Sequence, residues 1–270
     1  MFRLLTIVFL VIAIPAQSAS PPLPFGMTLS AKTIRLWNEV TKAYGKPIRE
    51  EQPPDVSDSG RSVIADDGTP VVQLAADSHD EDHLVHELMH LKLFLEGFPI
   101  GAEWALGCDN KREFRLAEWS RMNLNEAIDH WIFYPQIRAM GMTPDQSYVN
   151  DLKKMVMSAD AASIPARSLA VDYFRAKTMA GQQNLARSVR EWCLAGHQAE
   201  AVKAGDAMFE ILMKQRPASP DQAIETYVAC ANVLFEDAKG FKFLGWHNMP
   251  RGNVQVRLAR MLMWSLTPCR

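Results

Sequence analysis

The sequence predicts a mainly α-helical protein with a small β-hairpin or short sheet beside one central helix. Three observations lead to this class. Apolar residues recur at helical spacing along most of the chain. An Asp-Gly pair between two β-branched segments is typical of a hairpin. The chain has 270 residues, 48% of them hydrophobic, which is enough for one large packed core or two small ones.

The N-terminal segment has the order of a secretory signal peptide. Arg3 precedes an apolar stretch at residues 4–14, and Pro15 and small residues follow. This stretch is short for a membrane-spanning helix, which needs about 20 residues. We therefore exclude residues 1–19 from the fold and expect export, to the periplasm or out of the cell, with no stable membrane anchor. The alternative is an uncleaved anchor.

The first folded elements are a helix and three short strands. Ser30 can cap a helix that ends at Gly45. A short strand is expected near Ile48. Residues 61–65 and 70–75 are the two arms of the predicted hairpin.

The second helix carries the motif His86-Glu87-x-x-His90, the H-E-x-x-H spacing of zinc hydrolases. Residues four apart lie on one face of a helix, so His86 and His90 can offer two imidazoles to one metal ion. Glu87 lies beside them, where it can act as general base on an activated water. Ser78 or Asp80 can cap this helix.

The motif helix is apolar nearly all round, which predicts that it is buried. Polar side chains in a buried helix need partners, and a metal ion supplies one for the histidines. The alternative is a pair of core histidines, each bonded to a backbone carbonyl.

A long helix over residues 111–140 contains the candidate third ligand. Zinc bound by two histidines needs a third protein ligand and one open position for catalysis. Glu126 lies on a mostly apolar face of this helix, where a carboxylate needs a proton, an ion pair or a metal. Glu126 is the predicted ligand, with His130 and Asp129 as alternatives.

Beyond residue 141 the spacing predicts helices and little else. We expect three regions: the signal peptide at 1–19, a metal-binding core at 20–141, and a helical region at 142–270 that can pack into the same domain. The predicted helices of the third region are 144–157, 164–179, 183–194, 198–214 and 221–235, followed by a loop at 240–252 and a last helix at 254–266.

The motif residues together with Asn125-Glu126-Ala127 resemble the gluzincins, the thermolysin-like zinc metallopeptidases. The resemblance covers about residues 71–134 and implies a zincin-like α+β core. It implies that His86, His90 and Glu126 bind Zn²⁺ and that Glu87 activates water. The chain departs from the family at His130, which stands four positions after Glu126 where the family often has an acid.

The predicted function is that of an exported zinc-dependent peptidase, which hydrolyses peptide bonds in a peptide or protein substrate. A donor is needed for the developing oxyanion, and His130, Tyr134 and His247 are the candidates. The alternative is a zinc-binding interaction protein without turnover. The presence of Glu87 favours the enzyme, because a degenerate site commonly loses its base.

Charge and cysteine content limit the remaining possibilities. The net charge is −2 and no basic stripe appears, so nucleic acid is not expected as a partner. In an exported protein the four cysteines favour disulfides, and their spacing leaves all three pairings open. The oligomeric state is not predicted. The cysteines are Cys108, Cys193, Cys230 and Cys269.

Overall fold

The computed structural model describes residues 23–54, 60–98, 102–105, 111–144, 146–179, 181–235 and 241–263. Within these ranges the chain forms eight α-helices and two three-stranded sheets. The predicted class, mainly α with a short sheet beside the motif helix, is confirmed.

The first sheet has the predicted hairpin and the predicted strand near Ile48. Strand β1 (Arg49–Glu51) runs parallel to β3 (Pro70–Leu74), and β2 (Gly60–Ile64) pairs with β3 in the antiparallel sense. Helix α1 (Ala31–Tyr44) precedes them. It begins at Ser30, whose side chain accepts a hydrogen bond from the Thr33 N–H, and it ends at Gly45 with φ of 66°.

Helix α2 (Glu81–Leu95) is the motif helix and is buried between several elements. It packs against α1, β2, β3 and the long helix α3 (Lys111–Ala139). Asp80 caps it by accepting a hydrogen bond from the His83 N–H, so Asp80 is the cap and Ser78 is not. The buried apolar side chains of α2 are Leu84, Val85, Leu88, Met89, Leu91 and Leu93.

The C-terminal helices are α4 (Gln146–Ser158), α5 (Ala166–Thr178), α6 (Gln183–Ala195), α7 (Ala199–Gln215) and α8 (Pro220–Leu234). Their boundaries agree with the predicted ones to within two residues. Helix α3 contacts α2 on one side and α5 and α8 on the other, so it joins the motif region to the helical region. Buried residues of both regions belong to one continuous hydrophobic core. Helix α5 is buried over every residue from 168 to 176.

The predicted last helix and the loop before it are wrong. Residues 240–266 instead contain strands β5 (Phe241–Arg251) and β6 (Val254–Met263), which form an antiparallel hairpin. A third strand, β4 (Ala102–Ala105), pairs with β6 in parallel. The physical reason lies in the start of β6, where apolar and polar residues alternate with a period of two, the pattern of a strand rather than of a helix.

The turns of the two hairpins touch each other. Gly68 and Gly252 have positive φ, of 86° and 54°, and a Cβ on Gly252 would overlap the carbonyl oxygen of Asp67. Arg251 forms an ion pair with Asp66 across the same contact. These contacts join the second sheet to the first.

The expected disulfides do not involve Cys193 or Cys230, which are free, buried thiols in α6 and α8. Each lies among core side chains, where a thiol behaves as a small apolar group. Cys108, Cys269 and the predicted signal peptide at residues 1–19 lie outside the described residues. No described helix combines the length and the hydropathy that a membrane crossing requires.

Candidate metal centre

Helices α2 and α3 bring three histidines together. His86 and His90 lie one turn apart on α2, and their Nε2 atoms are 3.1 Å from each other. His130 of α3 faces them, with ring centroids 4.7 Å from His86 and 5.6 Å from His90. One ligand atom from each histidine can be chosen so that all lie within 4.8 Å of one another. Among the described residues, no carboxylate or thiolate belongs to this group.

Aromatic side chains of α3 form the wall around the three imidazoles. Phe133 meets His90 edge to face at 4.9 Å, and Tyr134 stacks on His130 at 4.4 Å with 14° between the planes. Residues 130, 133 and 134 share one face of α3 because they are three and four positions apart. That face packs on α2, so the rings hold the histidines in place.

The residues fit a metal ion in two respects. A zinc–nitrogen distance of about 2.0–2.1 Å in a tetrahedron places two ligand nitrogens about 3.3–3.4 Å apart, close to the 3.1 Å between His86 and His90. The Nε2 of His130 is buried and has no hydrogen-bond partner within the described part of the chain. A buried polar atom without a partner is costly, and a metal ion would provide the missing interaction.

Burial keeps the three imidazoles neutral. It lowers the pKa of His90 to about 4, against an opposing effect of the Glu126 carboxylate. It also lowers the pKa values of His86 and His130 well below the ordinary range, and repulsion between the histidines and from the Arg175 guanidinium adds to this. Neutral imidazole is the form that binds metal ions.

Glu87, which follows His86 on α2, is buried and contacts strand β2. The hydroxyl of Ser62 lies 2.6 Å from its Oε2 and 2.7 Å from its main-chain carbonyl oxygen. Gly60 leaves room for the carboxyl, because a Cβ there would lie 3.0 Å from Oε1. Burial raises the pKa of Glu87 to about 8, Ser62 opposes the rise, and the charge of Glu126 adds to it. This carboxyl can therefore both take up and release a proton near neutral pH.

The predicted third ligand, Glu126, lies at the edge of the histidine group. Its Oε1 is 3.7 Å from His130 Nε2, its Oε2 is 3.5 Å from Arg175 Nη1, and 41% of its side chain is exposed. His130, the alternative from the sequence, occupies the position inside the group. The other alternative, Asp129, is buried and accepts a hydrogen bond from Asn125 Nδ2 at 2.9 Å. Burial and then the charge of Glu126 raise the pKa of Asp129 well above its usual value.

The two other predicted oxyanion donors lie in different places. Tyr134 is buried against His130, and the guanidinium of Arg138 lies over its ring at 5.4 Å. His247 occupies an exposed position on β5, opposite Leu258 of β6. It does not belong to the histidine group.

Sequence reasoning missed Arg175, which lies beside the centre on α5. Its side chain is buried, and its Nη1 donates to Asn123 Oδ1 at 2.7 Å. The guanidinium lies 3.9 Å from the ring centroid of Tyr148, whose hydroxyl donates to Asp172 at 2.9 Å. A signal was present, because Asp172 and Arg175 are opposite charges three positions apart in an otherwise apolar stretch. Ser62 had no comparable signal.

A cavity of about 460 Å³ reaches His86 from the protein surface. It lies between the first turn of α2 and the first turns of α4, and it offers access to His86. Its lining residues are Asp80, Glu81, Asp82, His83, His86, Thr143, Pro144, Gln146, Ser147 and Asn150.

Comparison of the chain with protein families, with curated proteins and with solved structures finds no match. The geometry of the site and the H-E-x-x-H motif are therefore the basis for a functional proposal.

Proposed function

We propose that the protein is a zinc-dependent hydrolase that cleaves peptide bonds. One observation carries the proposal: three neutral imidazoles converge on one point, and the residue that follows His86 on the same helix is a buried glutamate that can exchange a proton near neutral pH. The peptide bond as substrate rests on the resemblance of the motif to the gluzincins. Export of the enzyme rests on the signal-peptide pattern in residues 1–19.

Each part of the site has a role in this proposal. His86, His90 and His130 would hold the ion. A zinc ion held there would supply Lewis acidity, which lowers the pKa of a water molecule and polarises a carbonyl. Glu87 accepts the proton of the attacking water on its carboxylate and passes it to the leaving amine nitrogen. Ser62 orients that carboxyl group.

Tyr134 is the remaining candidate for the oxyanion donor. His130 would be engaged as a ligand, and His247 lies on an exposed strand position. The ring of Tyr134 is 5.9 Å from that of His86 and stacks on His130, so the phenol belongs to the wall of the site. A hydroxyl in that wall is the type of donor that a developing oxyanion needs.

The test combines metal analysis with turnover of a peptide library. We expect one zinc per chain in protein purified without chelators. Glu87→Gln should keep the zinc and lose at least about 10²-fold in turnover, because the proton acceptor is gone. Glu210→Gln, at an exposed position of α7, is the matched control and should keep both.

Two results would separate the alternatives. Stoichiometric zinc without turnover of any peptide would favour the zinc-binding interaction protein. Full activity of Glu87→Gln on an identified substrate would exclude the proposed mechanism.

A further inference from the structure

Arg175 is a buried cation that contacts a carboxylate at the edge of the histidine group. Its Nη1 lies 3.5 Å from Glu126 Oε2 and 2.7 Å from Asn123 Oδ1. An arginine is always charged in a protein and is costly to bury, so its burial calls for a compensating partner. Glu126 is the anion that this guanidinium contacts.

The guanidinium of Arg175 also contacts an aromatic ring. Its plane lies over Tyr148 at 3.9 Å, a cation–π distance. The hydroxyl of Tyr148 in turn donates to Asp172 Oδ1 at 2.9 Å, one turn before Arg175 on α5. These contacts fix Arg175 in one position, so it can in turn fix a partner.

Glu126 is close to becoming a fourth ligand. Its Oε1 lies 3.7 Å from His130 Nε2, little more than the about 3.3–3.4 Å between two ligands of one tetrahedral zinc ion. Its side chain is 41% exposed, so packing alone does not hold it. Three histidines and a carboxylate would complete a closed, four-ligand site of the structural kind, whereas catalysis needs one open position.

We propose that Arg175 is a positioning residue that holds Glu126 outside the ligand set and thereby keeps one coordination position open. The guanidinium and the metal ion compete for the same carboxylate, and the contacts to Asn123 and Tyr148 favour the guanidinium. The inference rests on the proposed function in that it requires a metal ion at His86, His90 and His130.

The experiment is a titration of the purified protein with Co²⁺, whose visible d–d absorption weakens when coordination rises above four. The variants are Arg175→Met, Glu126→Gln and the double variant, with Arg175→Lys as the conservative replacement. Arg167→Met is the matched control, because Arg167 is on the same helix and lies over an aromatic ring, that of Phe235, at 5.1 Å.

We expect Glu126→Gln to leave the spectrum and the Co²⁺ affinity of the wild type unchanged within about threefold, because Glu126 is not a ligand. Arg175→Met should bind Co²⁺ about tenfold tighter or more, the scale on which neighbours of ligands alter affinity. Its spectrum should change with the added carboxylate. The double variant should return to the wild-type spectrum, Arg175→Lys should stay close to it, and Arg167→Met should match it.

Either of two results would overturn the inference. The first is a loss of about tenfold or more in Co²⁺ affinity in Glu126→Gln alone, which would make Glu126 a ligand in the wild type. The second is an Arg175→Met spectrum identical to that of the wild type. If Arg175→Met does not fold, as circular dichroism would show, Arg175→Gln takes its place in the same comparison.

The outcome is separable from that of the proposed function. Wild-type protein that binds no Co²⁺ or Zn²⁺ overturns both. A wild-type site in which Glu126 replaces His130 as the third ligand overturns the inference and leaves hydrolysis open to test. An open three-histidine site without peptide turnover supports the inference and removes the proposed function.

Discussion

Replacing His130 with phenylalanine should stabilise the metal-free protein and remove its response to zinc. The variant keeps the stacking on Tyr134 and the contact with Phe133. It deletes a buried Nε2 that has no hydrogen-bond partner in the described part of the chain. Removing such a group should raise the free energy of unfolding by about 1–3 kcal/mol. The larger phenylalanine ring should offset part of this gain, because it overpacks the core. We expect a net gain of about 1 kcal/mol in the free energy of unfolding.

The assay is urea unfolding at pH 7.5 with chelator and again with zinc at about 1,000 times the wild-type Kd. Zinc should stabilise the wild type by about 4 kcal/mol and the His130→Phe variant by much less. His247→Phe, at an exposed strand position, is the control and should keep the full response. A metal-free His130→Phe protein that is less stable than the wild type, yet fully stabilised by zinc, would refute this account of the site.

Two further predictions concern stability away from the histidines. Burial raises the pKa of Asp172 from 3.8 to about 6, and the hydrogen bond from Tyr148 opposes this rise. The protonated carboxyl therefore contributes fully to the free energy of unfolding below pH 3.8, and this contribution is lost as the pH rises through 6. Asp172→Asn should therefore gain up to about 3 kcal/mol relative to the wild type between pH 4 and pH 7, and a pH-independent difference in urea unfolding would argue against it. Gly205→Ala should destabilise the protein by about 1–3 kcal/mol in thermal unfolding, because the added Cβ would lie 2.6 Å from Tyr173 and 3.1 Å from the Ala170 carbonyl oxygen. This loss should exceed the gain of about 1 kcal/mol from the higher helix propensity of alanine. A raised melting temperature would show that α5 and α7 can separate without cost.

The residues that form the proposed metal centre and its surroundings lie on three different helices. His86 and His90 come from α2, His130 and Glu126 from α3, and Arg175 from α5. Since α3 packs against both α2 and α5, a shift of α3 would change the distance from Glu126 to the guanidinium and to the histidines together. The stability of this three-helix contact is therefore also a condition for the geometry of the site.

Local sequence determined the helices and the half of the site that lies within one helix. The boundaries of α3 to α8 follow from apolar spacing, caps and breaks, all of which act within a few residues. The relation of His86 to His90 is equally local, because positions four apart share a face of any α-helix. These features could be predicted without knowledge of the rest of the fold.

Tertiary structure decided which residue of α3 completes the histidine group and how the last described strands pair. Glu126 and His130 are also four apart, so the sequence places both on one face and cannot say which of them is level with His86 once α2 and α3 pack. Strands β5 and β6 are defined by pairing with each other and with the distant β4, and Arg175 reaches the site only because α5 packs on α3. Each of these depends on contacts between segments far apart in the chain, which the pattern of a single segment does not encode.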